Sequence, residues 1–185
     1  MREGFVVWLT GLPGSGKTTI AKRLESELKN VGWRVEVLDG DEIRQNLSKG
    51  LGFSREDRET HLKRVTYVAK LLSRNGVAVI AALISPYRNI REYARVETTN
   101  FVEVYVKCSV ETCAKRDPKG LYKKASSGEI GNLTGPQDLY EEPLRPNLIV
   151  DTEALNIEQS VDLILEKVQR LGLTNTLSRS QKATF

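Results

Sequence analysis

A glycine-rich stretch close to the start of the chain constrains the fold more than any other feature. Residues 11–18 read Gly-Leu-Pro-Gly-Ser-Gly-Lys-Thr and fit the pattern G-x-x-x-x-G-K-[ST]. An apolar run at 5–10 precedes this stretch, and a helical pattern continues to residue 28. In such a context, the backbone N–H groups of the loop and the helix N-terminus bind phosphate. The stretch therefore predicts a phosphate-binding P-loop after the first strand of an α/β domain.

The residues of this loop have expected roles in holding a nucleoside triphosphate. Lys17 is expected to reach the β- and γ-phosphates and so to act in catalysis, and the Thr18 hydroxyl is expected to bind Mg²⁺. The loop predicts ATP and Mg²⁺ as cofactors but does not identify what receives the phosphate. The residues assigned to nucleotide binding are consecutive: Gly11, Leu12, Pro13, Gly14, Ser15, Gly16, Lys17, Thr18 and Thr19.

Apolar runs that alternate with helical segments predict a three-layer α/β/α sandwich around a five-stranded parallel sheet. The run at 77–83 contains no polar residue, which is typical of a strand in the middle of such a sheet. The predicted strands are 5–10, 33–39, 77–83, 101–106 and 148–151. The predicted helices are 17–28, 41–47, 54–75 with Ser54 as N-cap, 88–98, 111–116 and 156–171.

The segment 118–146 differs from the rest, because it is rich in glycine and proline and poor in apolar residues. A long loop in a compact domain is usually functional, so we predict a lid there.

Residues 1–173 are expected to form one domain, followed by a polar, loose tail at 174–185. Parallel sheets bind ligands at the carboxyl ends of their strands, which is where the site is expected.

Composition and charge bound the class of protein. The chain has 185 residues, 39% of them hydrophobic, and a formal net charge of +4, which suits one globular domain. It has neither a signal-peptide pattern nor an apolar run long enough for a bilayer, so we expect a cytoplasmic protein without a membrane partner. Cys108 and Cys113 lack the Cys/His cluster of a zinc site, and His61 is the only histidine. Lys and Arg form no block of five or more, which favours small anions over nucleic acid.

A pair of carboxylates follows the second predicted strand. In Asp39-Gly40-Asp41, one carboxylate can orient an attacking hydroxyl and take its proton, while the other organises Mg²⁺. Gly40 lets the chain bend so that Asp41 turns into the cleft. The alternative interpretation is a strand-end turn with two solvated acids.

Several residues that follow strand ends are candidates for holding an anionic acceptor. Guanidinium groups bind phosphate or sulfate oxygens in a bidentate way. The ring of Phe53, in a glycine-rich turn, either stacks on a base or anchors the turn in the core. Ser85 is either a ligand contact or a phosphate carrier. The basic candidates are Arg44, Arg55, Arg58, Arg64, Arg88 and Arg91, with Arg116, Lys119, Lys123 and Lys124 at the lid.

Together these residues resemble the adenylylsulfate kinases (APS kinases), which transfer the γ-phosphate of ATP to the 3′-hydroxyl of adenosine 5′-phosphosulfate (APS). The resemblance extends over residues 4–172. Its most specific parts are Leu-Gly-Phe-Ser at 51–54, Ile-Ser-Pro-Tyr-Arg at 84–88 and Lys-Gly-Leu-Tyr at 119–122. It implies a P-loop kinase fold with strand order 2-3-1-4-5, ATP sulfurylase as the upstream enzyme, and a homodimer.

The resemblance also implies roles for individual residues. Asp41 is the base and, with Thr18, organises Mg²⁺. Phe53 stacks on the adenine of APS, and Ser85 matches a serine discussed in the family as a phosphoserine intermediate. We favour direct in-line transfer, because the P-loop and Asp41 already supply what that step needs. The residues implied in APS binding are Asp41, Arg44, Phe53, Arg58, His61, Ile84, Ser85, Lys124 and Leu133.

Two of these positions depart from the usual pattern of the family. His61 stands where the family usually has Asn, and it is expected to replace the amide as a donor, with pH sensitivity near its ordinary pKa of about 6.5. Leu133 stands where the family usually has Phe, so the adenine is expected to meet one ring and one aliphatic face.

Two other functions remain open at this point. A kinase for a small sugar acid would share the loop and the carboxylates, but a sugar acid offers no base for Phe53 to stack on. A regulatory or nucleic-acid-binding module without catalysis would not need Asp41, and its binding would depend steeply on salt.

Overall fold

The computed structural model describes residues 3–174 of the chain. Within that range, strands alternate with helices from β1 to α7. The elements are β1 (Phe5–Thr10), α1 (Lys17–Asn30), β2 (Val35–Asp39), α2 (Gly40–Leu47), α3 (Arg55–Arg74), β3 (Ala78–Ala82), α4 (Arg88–Glu97), β4 (Phe101–Lys107), α5 (Val110–Arg116), α6 (Leu121–Ser126), β5 (Leu148–Asp151) and α7 (Ile157–Arg170).

The five strands form one parallel sheet with the order β2-β3-β1-β4-β5, which confirms the predicted fold and strand order. β1 lies in the centre, and all six of its residues are buried. Successive side chains of a strand point to opposite faces. Phe5 and Val7 accordingly pack in one core with residues of α1 and α7. Val6 and Trp8 pack in a second core with residues of α3 and α4, which completes the three layers.

Local signals set several of the element boundaries. Ser54 caps α3 as predicted, because its Oγ accepts a hydrogen bond from the Asp57 amide at 3.1 Å. The second strand begins at Val35 and not at residue 33. Trp33 instead turns its ring into the core, where it meets Phe5 edge-on with 4.9 Å between the ring centroids.

Trp33 also contacts the last described residue. Its Nε1 donates to the Thr174 Oγ1 at 2.9 Å, and Thr174 is buried. The prediction of a loose tail is therefore wrong for Thr174, which the indole holds. The remainder of that predicted tail, 175–185, lies outside the described residues.

The predicted lid is more ordered than an open loop. Its stretch 121–126 forms α6, and Tyr122 and Leu133 are buried in a third core with Leu12 of the P-loop. The hydroxyl of Tyr122 donates to the carbonyl of Pro13 at 2.9 Å. The prediction of a loop is wrong for 121–126, because a helix of six residues is too short to show the periodicity by which helices are recognised.

None of the helices between residues 3 and 174 is long and apolar enough to span a bilayer.

Candidate active site

The P-loop connects β1 to α1 at the carboxyl edge of the sheet. Gly16 has φ 101°, a left-handed conformation that a residue with a Cβ adopts only under strain. A Cβ on Gly14 would lie 3.0 Å from the carbonyl oxygen of Cys113, so this glycine allows α5 to pack closely behind the loop. The loop is therefore held in one shape by its own backbone and by the helix behind it.

Lys17 folds back into this loop. Its Nζ donates to the carbonyl oxygens of Gly11 at 2.9 Å and Leu12 at 2.7 Å, and to the Ser15 Oγ at 3.3 Å. The residue is only 8% exposed, and burial lowers the pKa of its ammonium group to about 8. An ammonium group surrounded by loop oxygens is poised to exchange them for phosphate oxygens.

The cysteines behind the loop are free and buried. Burial raises the pKa of the Cys113 thiol to about 12, so the thiol stays protonated at neutral pH. Cys108 and Cys113 are therefore packing residues of the third core.

The two carboxylates of Asp39-Gly40-Asp41 line the same cleft but have different partners. Asp39 Oδ2 accepts from the Thr18 hydroxyl at 2.8 Å, and its Oδ1 accepts from the Asp41 amide at 3.0 Å, which caps α2. Asp41 contacts the ammonium group of Lys119 from the lid. All four side chains line a cleft of about 670 Å³. The oxygen donors of Thr18, Asp39 and Asp41 fit Mg²⁺, which prefers carboxylates, hydroxyls and phosphates.

The structure thus refines the predicted metal pair. Thr18 and Asp41 were expected to share the ion, and Asp39 was expected only as a member of the carboxylate pair. It is Asp39 that bonds Thr18. Thr18 and Asp39 are 21 residues apart in the chain and meet only because β2 lies beside α1, so the sequence offered no local signal for this contact.

On the acceptor side, Phe53 is not a core anchor. Its ring is 58% exposed, and the guanidinium carbons of Arg44 and Arg58 lie 4.7 Å and 5.8 Å from the ring centroid. An exposed ring between two cations is suited to stack on a flat, anionic ligand. The interpretation of Phe53 as a core anchor is therefore wrong.

Arg58 connects this turn to the lid. Its Nε donates to the Phe53 carbonyl at 2.8 Å, its Nη1 to the Thr134 hydroxyl at 2.7 Å and its Nη2 to the Asn132 carbonyl at 2.6 Å. Arg44 donates to the carbonyl of Gly52 at 2.9 Å. Thr134 had no predicted role.

Ser85 is enclosed by the fold. It is buried, its Oγ donates to the Thr10 Oγ1 at 2.9 Å, and the same Oγ accepts from the Trp8 indole at 3.1 Å. The neighbouring carbonyl of Ile84 accepts from Thr10 at 2.8 Å. The hydroxyl of Ser85 therefore serves as a hydrogen-bonding group that holds the loop after β3.

The expectations for His61 and Leu133 need correction. His61 is 5% exposed, and its Nδ1 lies 2.8 Å from the Ser48 Oγ. Burial, together with the nearby charges of Arg44 and Arg64, lowers the pKa of His61 to about 4. The predicted pH sensitivity near 6.5 is wrong, because the ring stays neutral through that range. Leu133 is buried in the third core and does not present an open aliphatic face.

The other basic candidates divide into two groups. Arg116 donates to the Thr152 carbonyl at 2.7 Å beside the P-loop, while Lys123 and Lys124 are exposed on α6. The remaining arginines each contact another part of the protein and do not form an anion-binding cluster. Arg55 lies over the Tyr87 ring, and Arg64 donates to the Leu47 carbonyl. Arg88 donates to the Glu142 carbonyl, and Arg91 pairs with Glu103. The prediction of an arginine cluster holds only for Arg44 and Arg58.

The parallel sheet, the P-loop and the carboxylates at its edge define a P-loop kinase. A family model described as adenylylsulphate kinase matches residues 3–151. The chain therefore belongs to the adenylylsulphate kinase family, whose ATP-dependent kinase activity toward adenylyl sulfate it shares.

Individual relatives agree with this assignment. A protein of Pseudomonas aeruginosa described as "Probable adenylyl-sulfate kinase" is 56% identical over 89% of this chain and 77% of its own length. An adenylyl-sulfate kinase of Rippkaea orientalis is 52% identical over 92% of this chain and 94% of its own. The APS kinase CysC of Mycobacterium tuberculosis, solved in complex with AMPPNP and APS, is 37% identical, with a TM-score of 0.88 over 91% of this chain and 99% of that one.

Proposed function

We propose that this kinase transfers the γ-phosphate of ATP directly to the 3′-hydroxyl of APS, with Asp41 as the base. The observation that carries the proposal is the position of Asp41 in the same cleft as Thr18 and Asp39, beside the P-loop. A carboxylate at that place can reach a hydroxyl that faces the end of a triphosphate. The step gives ADP and 3′-phosphoadenylylsulfate.

The P-loop holds the donor in this proposal. Lys17 leaves the carbonyls of Gly11 and Leu12 and binds the β- and γ-phosphates, and the loop amides cradle the remaining phosphate oxygens. Thr18, Asp39 and Asp41 would hold Mg²⁺, which would neutralise charge on the phosphates. Asp41 takes the proton of the 3′-hydroxyl while the bond between that oxygen and phosphorus forms and the bond to ADP breaks.

The acceptor lies against the turn that carries Phe53. The ring stacks on the adenine, and Arg44 and Arg58 approach the anionic end of the sulfonucleotide. Ile84 and Ser85, at the end of β3, line one side of the acceptor site, and Lys124 of α6 lines another. Leu133 packs in the third core and is not proposed as a direct contact, whereas His61 is proposed to meet APS through Nε2, the ring nitrogen that does not face Ser48.

Direct transfer is preferred over a phosphoserine route. To accept a phosphate, the Ser85 Oγ would have to give up its bonds to Thr10 and Trp8 in a buried setting. No base is needed at Ser85 when Asp41 already faces the cleft.

The cellular setting is part of the same proposal. We infer a single domain at 1–173, a cytoplasmic location and a homodimer, and we expect neither nucleic acid nor a membrane as a partner. The substrate is a sulfate activated by adenylylation, so an ATP sulfurylase must act upstream. The exposed Phe53 disfavours a sugar acid as acceptor, because such a molecule offers no ring to stack.

A phosphotransfer assay with a panel of acceptors tests the proposal. The protein is incubated with radiolabelled ATP and Mg²⁺ and with APS, AMP, gluconate or RNA ends in turn. We expect label to move to APS far faster than to the other acceptors. Transfer to gluconate or RNA without transfer to APS would overturn the proposed function, and size-exclusion chromatography with light scattering tests the homodimer.

A further inference from the structure

A buried guanidinium lies at the junction of β4, the loop after β3 and the end of the lid. Arg91 on α4 is 2% exposed, and its Nε donates to Glu103 Oε1 at 2.9 Å. Its Nη1 donates to the Ser85 carbonyl at 2.6 Å and its Nη2 to the Glu141 carbonyl at 2.5 Å. One side chain thus holds three acceptors from three parts of the chain.

The loop at 84–86, called here the acceptor loop, is fixed through its carbonyl groups. Thr10 of β1 donates to the Ile84 carbonyl, Arg91 to the Ser85 carbonyl, and the Glu141 amide to the Pro86 carbonyl at 2.8 Å. Ser85 has φ 41°, a left-handed conformation that is unfavourable for a residue with a side chain. Such a conformation persists only where the surroundings hold it.

The lid end at 138–142, called here the lid anchor, is tied to the same place. The Tyr140 hydroxyl lies 2.9 Å from the Thr10 Oγ1. The Arg88 amide donates to Glu141 Oε2 at 2.8 Å, and the Arg88 Nε donates to the Glu142 carbonyl at 2.8 Å. Two side chains therefore bond both segments. Thr10 contacts the Ile84 carbonyl and the Tyr140 hydroxyl, and Arg91 donates to a backbone carbonyl of each segment.

Stability alone does not require an ion pair here. An apolar pair of similar volume often replaces a buried ion pair without loss of stability. What an apolar pair cannot do is donate to two carbonyl groups. A lysine cannot do so in this geometry either, because its donors share one nitrogen, whereas the guanidinium spreads five donors over a planar fork.

We propose that Arg91 is a positioning residue for the phosphate acceptor, because it fixes the acceptor loop and the lid anchor in one arrangement. The proposal rests on the proposed function, in which Ile84 and Ser85 bound the APS site. Glu103 neutralises the guanidinium and orients it from β4. Arg91 does not touch the P-loop or the cleft lined by Asp39 and Asp41, so donor binding does not depend on it.

Two variants separate positioning from packing. Arg91→Lys keeps the charge opposite Glu103 but loses at least one carbonyl contact. The double variant Arg91→Met with Glu103→Leu restores an apolar core and loses both. Since a hydrogen bond to a charged group contributes about 1.5 kcal/mol or more, we expect the KM for APS to rise about 10-fold or more in each. The KM for ATP is expected to stay within about twofold, and the double variant to melt close to the wild type.

Arg95→Met is the matched control. Arg95 donates to the other oxygen of Glu103 at 2.6 Å but bonds neither the acceptor loop nor the lid anchor. We expect its KM for APS to remain that of the wild type. An unchanged KM for APS in a folded Arg91→Lys variant would overturn the proposal. So would an equal rise of both KM values together with a large fall in melting temperature, because that pattern indicates packing alone.

Amide hydrogen exchange keeps this test independent of the proposed function. If the wild type fails to phosphorylate APS, the proposed function fails, but exchange in peptides covering 83–88 and 138–142 still reports on Arg91. Faster exchange in both peptides for Arg91→Lys, and not for Arg95→Met, supports the fixing role. Unchanged exchange contradicts it.

Discussion

The donor and acceptor halves of the cleft differ in how much of their structure is complete without a ligand. In the donor half, the ammonium group of Lys17 is buried among loop oxygens, and Thr18 is bonded to Asp39. In the acceptor half, the ring of Phe53 is exposed, and the carboxylate of Asp41 pairs with the exposed Lys119 from the lid. The donor half is therefore held by bonds within the protein, some of which Lys17 exchanges for phosphate oxygens, whereas the acceptor half is expected to become complete when APS covers Phe53 and displaces Lys119.

Replacing Asp41, the proposed base, tests the chemical step that joins the donor half to the acceptor half. We expect Asp41→Asn to lower kcat about 10²- to 10⁴-fold, because an amide cannot take the proton of the attacking hydroxyl. Binding of an ATP analogue is expected to change little, since the loop is untouched. Steady-state kinetics and calorimetry measure the two quantities, and Glu42→Gln, at the next acid in the same cleft, is the control. Substantial turnover in Asp41→Asn would remove Asp41 as the base.

Truncating the exposed ring tests the acceptor half alone. Stacking of a base on an aromatic ring contributes about 1–3 kcal/mol, so Phe53→Ala is expected to raise the KM for APS about 10- to 100-fold. The KM for ATP should stay within about twofold. Phe53→Tyr keeps the ring and should behave like the wild type. A loss of ATP affinity equal to the loss of APS affinity would mean that the halves are not separable.

A pH series tests the donor half. Burial lowers the pKa of Lys17 to about 8, so the ligand-free protein loses this positive charge as the pH rises through 8. Phosphate binds the protonated form, and we expect the KM for ATP to rise about 10-fold between pH 7 and pH 9. A guanidinium group is effectively always protonated in proteins, so we expect no comparable change in the KM for APS. If instead the KM for APS rises and that for ATP does not, the assignment of the two halves is reversed.

Removing the Ser85 hydroxyl is expected to have the smallest effect. Ser85→Ala loses the bonds to Trp8 and Thr10, which hold the loop but touch no reacting atom, so activity should fall by no more than about 10-fold. Ser73→Ala removes another buried serine hydroxyl, far from the cleft, and is the control for stability. Initial rates and the APS dissociation constant are measured together. Complete loss of turnover with normal APS binding would favour the phosphoserine route.

Much of the fold could be predicted because the signals are local. The six-residue run before the P-loop, the cap at Ser54 and the unbroken apolar run at 77–83 each describe an element through its neighbours in the chain. Strand order was a different matter. The order followed from the resemblance to a family, since the sequence of one strand does not indicate which strand pairs with it.

The sequence predicted which residues belong to the candidate site more successfully than it predicted which of them contact each other. Asp39 and Asp41 do line one cleft with Thr18, and Arg44 and Arg58 do lie beside the Phe53 ring. The bond between Thr18 and Asp39, the neutral ring of His61 and the burial of Leu133 were not foreseen, because each depends on residues far away in the chain. A signal for the Arg91–Glu103 pair did exist, in the single acid inside the otherwise apolar run at 101–106.

By itself, then, the amino-acid sequence determined the phosphate-binding loop, the alternation of strands and helices, and the residue types available for catalysis. These features rest on backbone preferences and on the spacing of apolar side chains, which act over a few residues. The tertiary structure alone decided which acid bonds Thr18, which ring stays exposed, and which arginine is buried against the acceptor loop. Burial and hydrogen-bond geometry depend on segments brought together only when the sheet forms, so no stretch of the chain contains them in advance.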